Sequence, residues 1–309
     1  MSVEHRHPID LRRMRVVVEV ARTQAITTAA QALGLTQSAV SRSVAELEHS
    51  LGQELFERLP RGIRATAAGE RFITRAKRIL ADVDDLVSDV SEATGRVTGR
   101  LRLGLDATGW HAIPAFTAFA NTHPLIAIET VHASAASLYP RLLSGELDVV
   151  LGSSRYLRRW QDLEVVALSR LHFACLLRND HPVNKLARPR EADVLRFPLI
   201  LPQSVEPTFS DIFQRYAHHG LLAVQPHYVS DSFDFVMALI RATDAFFPMM
   251  HPNEDFSGLG QEFLLLRDVV KMPEHHLSYA CAAGRARSAV VELFVGQLES
   301  TFAVHVRSD

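Results

Sequence analysis

The stretch TQSAVSR, residues 36 to 42, places small hydrogen-bonding side chains and one arginine at the start of a helical pattern. A helix with only solvent to face more often carries Glu and Lys there. Thr36 is of the type that caps a helix start, which leaves Gln37, Ser38, Ser41 and Arg42 on the outer face of the first turns. These types suit a DNA major groove: Gln pairs bidentately with adenine, Arg with guanine, and Ser with a base edge or a phosphate. Thr28, on the preceding helix, joins this set. The following segment, ELFERLPRGIRATAAG, sets Arg58, Arg61 and Arg64 around a Pro–Arg–Gly turn. Two short strands with an arginine at the tip form a wing that can enter a minor groove. The bland alternative is a solvated hairpin with incidental basic residues.

A second group of residues suits a small polar ligand. The loop after RLRLGL offers Asp106, Thr108 and Trp110, and the loop after AIETVH offers Ser134 and, one turn on, Ser137. Farther along, the loop after FPLIL offers Gln203, Ser204, Thr208 and Phe209, and YVSDSFDF offers Ser230, Asp231 and Ser232. Hydroxyls and backbone N–H groups at helix starts are good hosts for a carboxylate. Helix capping alone also explains Ser and Thr at such places.

The elements that must hold these groups follow from periodicity. Residues 27 to 33 form a short helix closed by Gly34 and Leu35. Ala30, Leu33, Leu35, Val40, Val44 and Leu47 fall where two crossing helices bury a shared core, and small Ala29 and Ala30 permit close approach. Residues 67 to 94 predict one long helix. Its Phe72, Ala76, Ile79, Val83, Leu86 and Val90 are spaced 4, 3, 4, 3, 4, the seam of a pairing helix. Gly95 and Gly99 end it. From residue 100 strand and helix patterns alternate: RLRLGL, AIPAFTAFANTHP, AIETVH, SLYPRLLSGEL, DVVLG. That rhythm predicts a parallel sheet with helices on both faces. The pattern continues through LHFACLL, FPLILP, DIFQRYAHHG, FDFVMALIRA, DAFFPMM and LSYACAA to a closing helix, which is enough for two small α/β lobes.

The 309 residues suit two or three domains. Charge is unevenly spread. Residues 1 to 78 carry 13 Lys and Arg against 8 Asp and Glu, and the remainder 20 against 27. A basic module on an acidic body fits a polyanion-binding head joined to something else. No apolar run is long enough to span a membrane, and the N-terminus has no signal-peptide core, so a cytoplasmic protein is expected. Cys175 and Cys281 sit in apolar surroundings and read as buried small hydrophobes. His218–His219 and His275–His276 lack metal-site spacing and read as exposed histidines, and Asp148 as a cap or turn residue. G-x-S-x-G, Walker, G-x-G-x-x-G and zinc signatures are missing, so neither an enzyme nor a resident cofactor or metal is expected.

Residues 9 to 93, with AITTAAQALGLTQSAVSRSVAELEHSLGQELFER and the T-x-A-G of Thr66 to Gly69, resemble the N-terminal domain of LysR-type transcriptional regulators. The order of elements extends the resemblance over essentially the whole chain. It implies a winged helix-turn-helix at 1–66, a linker and dimerisation helix at 67–97, and an effector-binding domain of the periplasmic-binding-protein type at 98–309. Lobe I of that domain would take about 98–168 and 275–309, and lobe II about 169–274. By the same resemblance Gln37, Ser41 and Arg42 match positions that contact bases or phosphates, and Arg61 matches the wing arginine. Ser38 stands where many members have Pro. Thr108 matches the first-lobe effector hydroxyl, and Pro207 and Phe209 fall where members that sense aromatic acids carry similar residues. Ala135 departs from their Thr or Ser, with Ser134 as the substitute. SDSF…ATDAFF looks more like the branch that includes regulators of sugar uptake and protocatechuate catabolism. The resemblance implies double-stranded DNA with an interrupted palindrome, a small-molecule effector, a homodimer or homotetramer, and RNA polymerase as a candidate partner. The alternative is a ligand-independent architectural DNA binder.

Overall fold

The computed structural model describes residues 9–60, 62–92, 97–202, 207–221, 226–230, 232–251 and 262–306. The chain divides into two compact units, residues 1–99 with 143–146, and residues 100–142 with 147–309. No helix among the described residues is long and apolar enough to cross a membrane.

The first unit is built from α1 (Leu11–Thr23), α2 (Ile26–Leu33), α3 (Gln37–Leu51), β1 (Phe56–Arg58), β2 (Ile63–Ala65) and α4 (Ala67–Glu92). Asp10 caps α1 by accepting from the Arg13 amide at 2.8 Å. Gly34 at φ 64° turns the chain from α2 into α3, a conformation that costs other residues more. Val16, Val17, Val20, Ala29, Ala30, Val40, Val44, Leu47, Leu55, Phe56 and Ile73 close one core, and the residues expected at the α2–α3 crossing lie in it or pack against it. Carboxylate oxygen Oε1 of Glu48 accepts from the amides of Leu55 (2.7 Å) and Phe56 (3.0 Å), tying α3 to the wing. β1 and β2 then pair antiparallel.

The Thr66–Gly69 motif acquires a physical explanation here. Thr66 accepts from the Gly69 amide at 3.0 Å and donates to the Glu54 carbonyl at 2.7 Å, which starts α4 against the wing. A Cβ on Gly69 would lie 2.0 Å from the Leu55 carbonyl oxygen, so only glycine fits. Along α4, Ala76 is 2% exposed whereas Ile79 and Leu86, seven residues apart, are 41% and 62% exposed. The open part of the expected seam therefore begins at Ile79. Val90 has its side chain outside the described residues.

The second unit carries a mixed sheet, in the order β10-β6-β11-β5-β3-β4, with β9 also on β6. Its members are β3 (Gly99–Leu105), β4 (Ile126–His132), β5 (Val149–Ser153), β6 (Leu163–Arg178), β9 (Phe247–His251), β10 (Phe263–Arg267) and β11 (His275–Ala282); β7 (Ile200–Leu201) and β8 (Tyr228–Val229) form a separate parallel pair. The helices are α5 (Ile113–Thr122), α6 (Ala135–Leu143), α7 (Ser154–Leu157), α8 (Glu191–Val194), α9 (Pro207–His218), α10 (Phe233–Ala242) and α11 (Ala289–Val306). The expectation of parallel pairing holds for β3 with β5 and for β7 with β8, but not for the pairings that β6 and β11 make. β11 runs antiparallel to both β5 and β6, and β6 antiparallel to β9 and β10. The reason is connectivity: β6 is a single 16-residue strand whose first half pairs with β11 and whose second half pairs with β9 and β10. Alternation of strand and helix patterns does not reveal such a shared strand. Apolar clusters around Tyr216 and Phe246 and around Ile200 and Val236 fill the region beyond it.

Candidate nucleic-acid interface and effector cleft

Thr36 caps α3 as expected, its hydroxyl accepting from the Ala39 amide at 3.2 Å and lying 3.1 Å from the Ser38 hydroxyl. Gln37, Ser38 and Arg42 are exposed and Ser41 is half-buried, so the first two turns of α3 present one polar face. Thr28 is exposed on α2. Arg58 is exposed on β1 and, like Arg42, makes no ion pair among the described residues. Arg64 differs: its Nε lies 2.6 Å from Oε1 of Glu57 across the β1–β2 ladder. Its charge is partly answered within the protein. Arg61 lies outside the described residues.

In the second unit, Thr108 is 4% exposed, and both its amide and its hydroxyl donate to Oδ1 of Asp106, at 2.6 and 2.7 Å. The hydroxyl proton expected to meet a ligand is thus committed to a neighbour. Asp106, itself 3% exposed, accepts from the Ser153 amide through Oδ2 at 2.9 Å. Burial raises its pKa, against the pull of the bonds from Thr108, Ser153 and Gly109. The next link is Ser153, whose hydroxyl lies 2.8 Å from Nδ1 of His275. A continuous chain of hydrogen bonds therefore runs from Thr108 through Asp106 and Ser153 to His275, across the ends of β3, β5 and β11.

Ser134 sits beside this chain. Ala133 donates to the Leu105 carbonyl at 3.2 Å, and Ser134 caps α6, its hydroxyl accepting from the Ser137 amide at 3.2 Å. On the far side, Ser230 donates its amide to the Leu201 carbonyl at 3.0 Å and accepts from the Ser232 amide at 3.2 Å, while Ser232 caps α10. Pro207 and Phe209 fall on the first turn of α9, with side chains outside the described residues. Ser204, Gln203 and Asp231 lie outside them altogether.

Two contacts join the loop after β3 to the second lobe. The imidazole Nε2 of His111 hydrogen-bonds the Met250 carbonyl, and Trp110 packs against the apolar cluster of Ile200, Val236 and Met237. Burial holds the His111 pKa down at about 3. Arg155 reaches toward Asp211 of α9 at 3.6 Å.

His275 corrects the sequence reading. It is 1% exposed at the start of β11, its ring beside that of Tyr156, and burial, with Arg155 nearby, lowers its pKa to about 4. Its doublet partner His276 is half-buried, and His218 and His219 are exposed. Neither Ser153 nor His275 is legible from sequence as a site residue, since Ser153 ends an apolar strand and HH carries no spacing signal. Cys175 and Cys281 are free and buried. Burial pushes the Cys281 thiol up to about 11 and raises Cys175 as well, so neither is poised as a thiolate. Asp148, expected as a cap or turn residue, accepts instead from the distant Arg102 amide at 2.7 Å, where β3 meets the start of β5.

Residues 11–70 match the model of the bacterial regulatory helix-turn-helix protein, lysR family, and residues 94–303 match the LysR substrate binding domain. The SDS degradation transcriptional activation protein of Pseudomonas sp. (strain ATCC 19151) is 34% identical over 194 residues, which span 62% of this chain and 63% of that protein. The regulator TfdT of Cupriavidus pinatubonensis (strain JMP 134 / LMG 1197) is 30% identical over 207 residues, 66% of this chain and 90% of its own. Among solved structures, full-length CbnR complexed with target DNA superposes with a TM-score of 0.65 at 21% identity, covering 95% of this chain and 100% of that one. A full-length OxyR variant of Pseudomonas aeruginosa gives 0.70 at 19% identity, covering 95% of each chain. At these identities the two structures speak for the fold.

Proposed function

The chain belongs to the LysR family of bacterial helix-turn-helix regulators, and on that footing we propose that it is a sequence-specific, effector-modulated transcription regulator. The observation that carries this reading is the face of α3: Gln37, Ser38 and Arg42 stand exposed at a capped helix start, where a major groove can be read. Arg58, Arg61 and Arg64 supply the wing, and Thr28 and Ser41 supply flanking contacts. The domain limits follow the sequence: 1–66 for DNA, 67–97 for the linker, and 98–309 for the effector.

The effector sits between the two lobes of the second unit, among Thr108, Ser134, Ser204, Pro207, Phe209 and Ser230. A small carboxylate, aromatic in the first instance, or a sugar-derived metabolite suits hydroxyls such as those of Ser134 and Ser230. Two copies pair along α4, where Ile79 and Leu86 are exposed, and a homotetramer reads two half-sites of an interrupted palindrome. Effector binding changes the preferred arrangement of the lobes and thereby the operator-binding equilibrium.

The test is a footprint of the full-length protein on DNA immediately upstream of its own gene, with random duplex as competitor. Discrete protection over an interrupted palindrome is the expected result. Protection no better than on competitor DNA would leave an architectural binder instead.

A further inference from the structure

We propose that His275, through its Nε2–H, is the group that holds the anionic oxygen of the effector at the floor of the sensor cleft, with Ser169 as the second donor. This rests on the reading of the sensor unit as a receptor for a small carboxylate.

The placement comes from strand direction. β11 runs antiparallel to β5, with Leu277 opposite Ser153, so its first residue lies beyond the carboxyl end of β5. Ligand crevices of α/β sheets form at that end. On the other side of β11, His275 faces Leu171 and Leu277 faces Ser169. Two-residue alternation then puts Ser153, His275 and Ser169 on one face of three adjacent strands. All three are buried, at 0%, 1% and 8% exposure.

The bonding inventory decides what this face offers. The Ser153 hydroxyl meets Nδ1 of His275 at 2.8 Å. A buried hydroxyl must place its proton somewhere, so Nδ1 accepts and the single proton of the neutral ring sits on Nε2. Nε2 of His275 and the hydroxyl oxygen of Ser169 find no partner among the described residues. Buried polar atoms of this kind are rare unless a ligand or solvent meets them. Both can donate, and Arg155 is close enough to weigh against a second proton on His275. Two hydrogen-bond donors with the Arg155 guanidinium nearby favour an anionic oxygen over a neutral one. Thr108 cannot offer the same, because its proton goes to Asp106 at 2.7 Å.

The experiment titrates full-length protein calorimetrically with acetate, succinate, benzoate and 4-hydroxybenzoate, each beside its matching amide. Wild type, His275→Phe and, as a control on the exposed face of α5, Thr117→Val are compared. The expected result is that the acid which binds wild type beats its amide by about tenfold or more, the size of a charge-assisted bond. In His275→Phe that preference falls to within about twofold, whereas Thr117→Val keeps it. Retention of the preference in His275→Phe, or an equal loss in Thr117→Val, overturns the assignment while leaving a carboxylate receptor intact. Binding of none of the acids to wild type overturns the receptor reading and this inference together. Should His275→Phe fail to fold, Ser169→Ala decides: loss of part of the preference is expected, and full retention counts against the site.

Discussion

Gly152 leaves open the space that the carboxylate of Asp106 fills: a Cβ at residue 152 would stand 2.3 Å from Oδ2. That oxygen is the one bonded to the Ser153 amide, so the glycine and the buried hydrogen-bond chain depend on each other. Gly152→Ala must displace the carboxylate or the strand. Overpacking of this kind costs about 1–3 kcal/mol, and urea unfolding of the sensor transition measures it. The same variant should weaken any effector response, because Thr108 and Ser153 lose their common acceptor.

Gly69→Ala tests the first unit independently. The atom in the way is the Leu55 backbone carbonyl at 2.0 Å, which cannot rotate aside as a side chain would. A loss of roughly 2 kcal/mol or more is expected, with the helix-turn-helix transition shifted and the sensor transition unmoved. Equal shifts in both would contradict the division into two units.

The arginines of α3 and of the wing should not behave alike. Arg42→Ala, on the neighbouring helix, removes a candidate base contact and should lower operator affinity by about 1–3 kcal/mol while relaxing sequence choice. Arg64→Ala should cost less, because Glu57 already pairs with Arg64 at 2.6 Å. Glu57→Ala, by releasing that arginine, should tighten binding and steepen its salt dependence. Gel-shift titrations at two salt concentrations separate the three outcomes.

His111 predicts an acid limb. Its folded pKa is depressed to about 3 by burial, while the unfolded value stays near 6.5. The unfolded state therefore binds the extra proton first, and stability is retained above about pH 6.5 and lost progressively below it. Between pH 6.5 and 5 the loss should be on the order of 2 kcal/mol. His111→Gln, which can still donate to the Met250 carbonyl, should remove about half of that limb, because His275, held at about 4 by burial, contributes a similar share. Denaturant midpoints across the pH range provide the check.

Thr36→Ala removes the cap of α3 and should cost about 1 kcal/mol of stability. Because Gln37 and Ser38 stand on the turn that the cap orders, operator affinity should fall too. Undiminished affinity would mean that DNA itself orders the helix start.

Local chemistry is legible in the sequence. The cap at Thr36, the glycine at 34, the shared core of α2 and α3 and the paired strands of the wing all follow from residue types a few positions apart. So does the long helix from Ala67, since its apolar spacing repeats within one element. The apolar stripe of that helix is legible too, though burial of Ala76 shows that it is not open along its whole length.

What sequence could not supply depends on chain segments far apart. Ser153 and His275 are separated by 122 positions, and neither residue type announces a site in its own surroundings. Their contact exists because β11 returns antiparallel to β5, and that direction follows from the sharing of β6 between the lobes. Likewise Thr108 is legible as a hydroxyl at a helix start, but the partner that takes its proton depends on which side chains are buried beside it. Periodicity reports which face of an element is apolar. It does not report which other element will cover that face, and only the packed fold decides which polar groups are left with a bond to give.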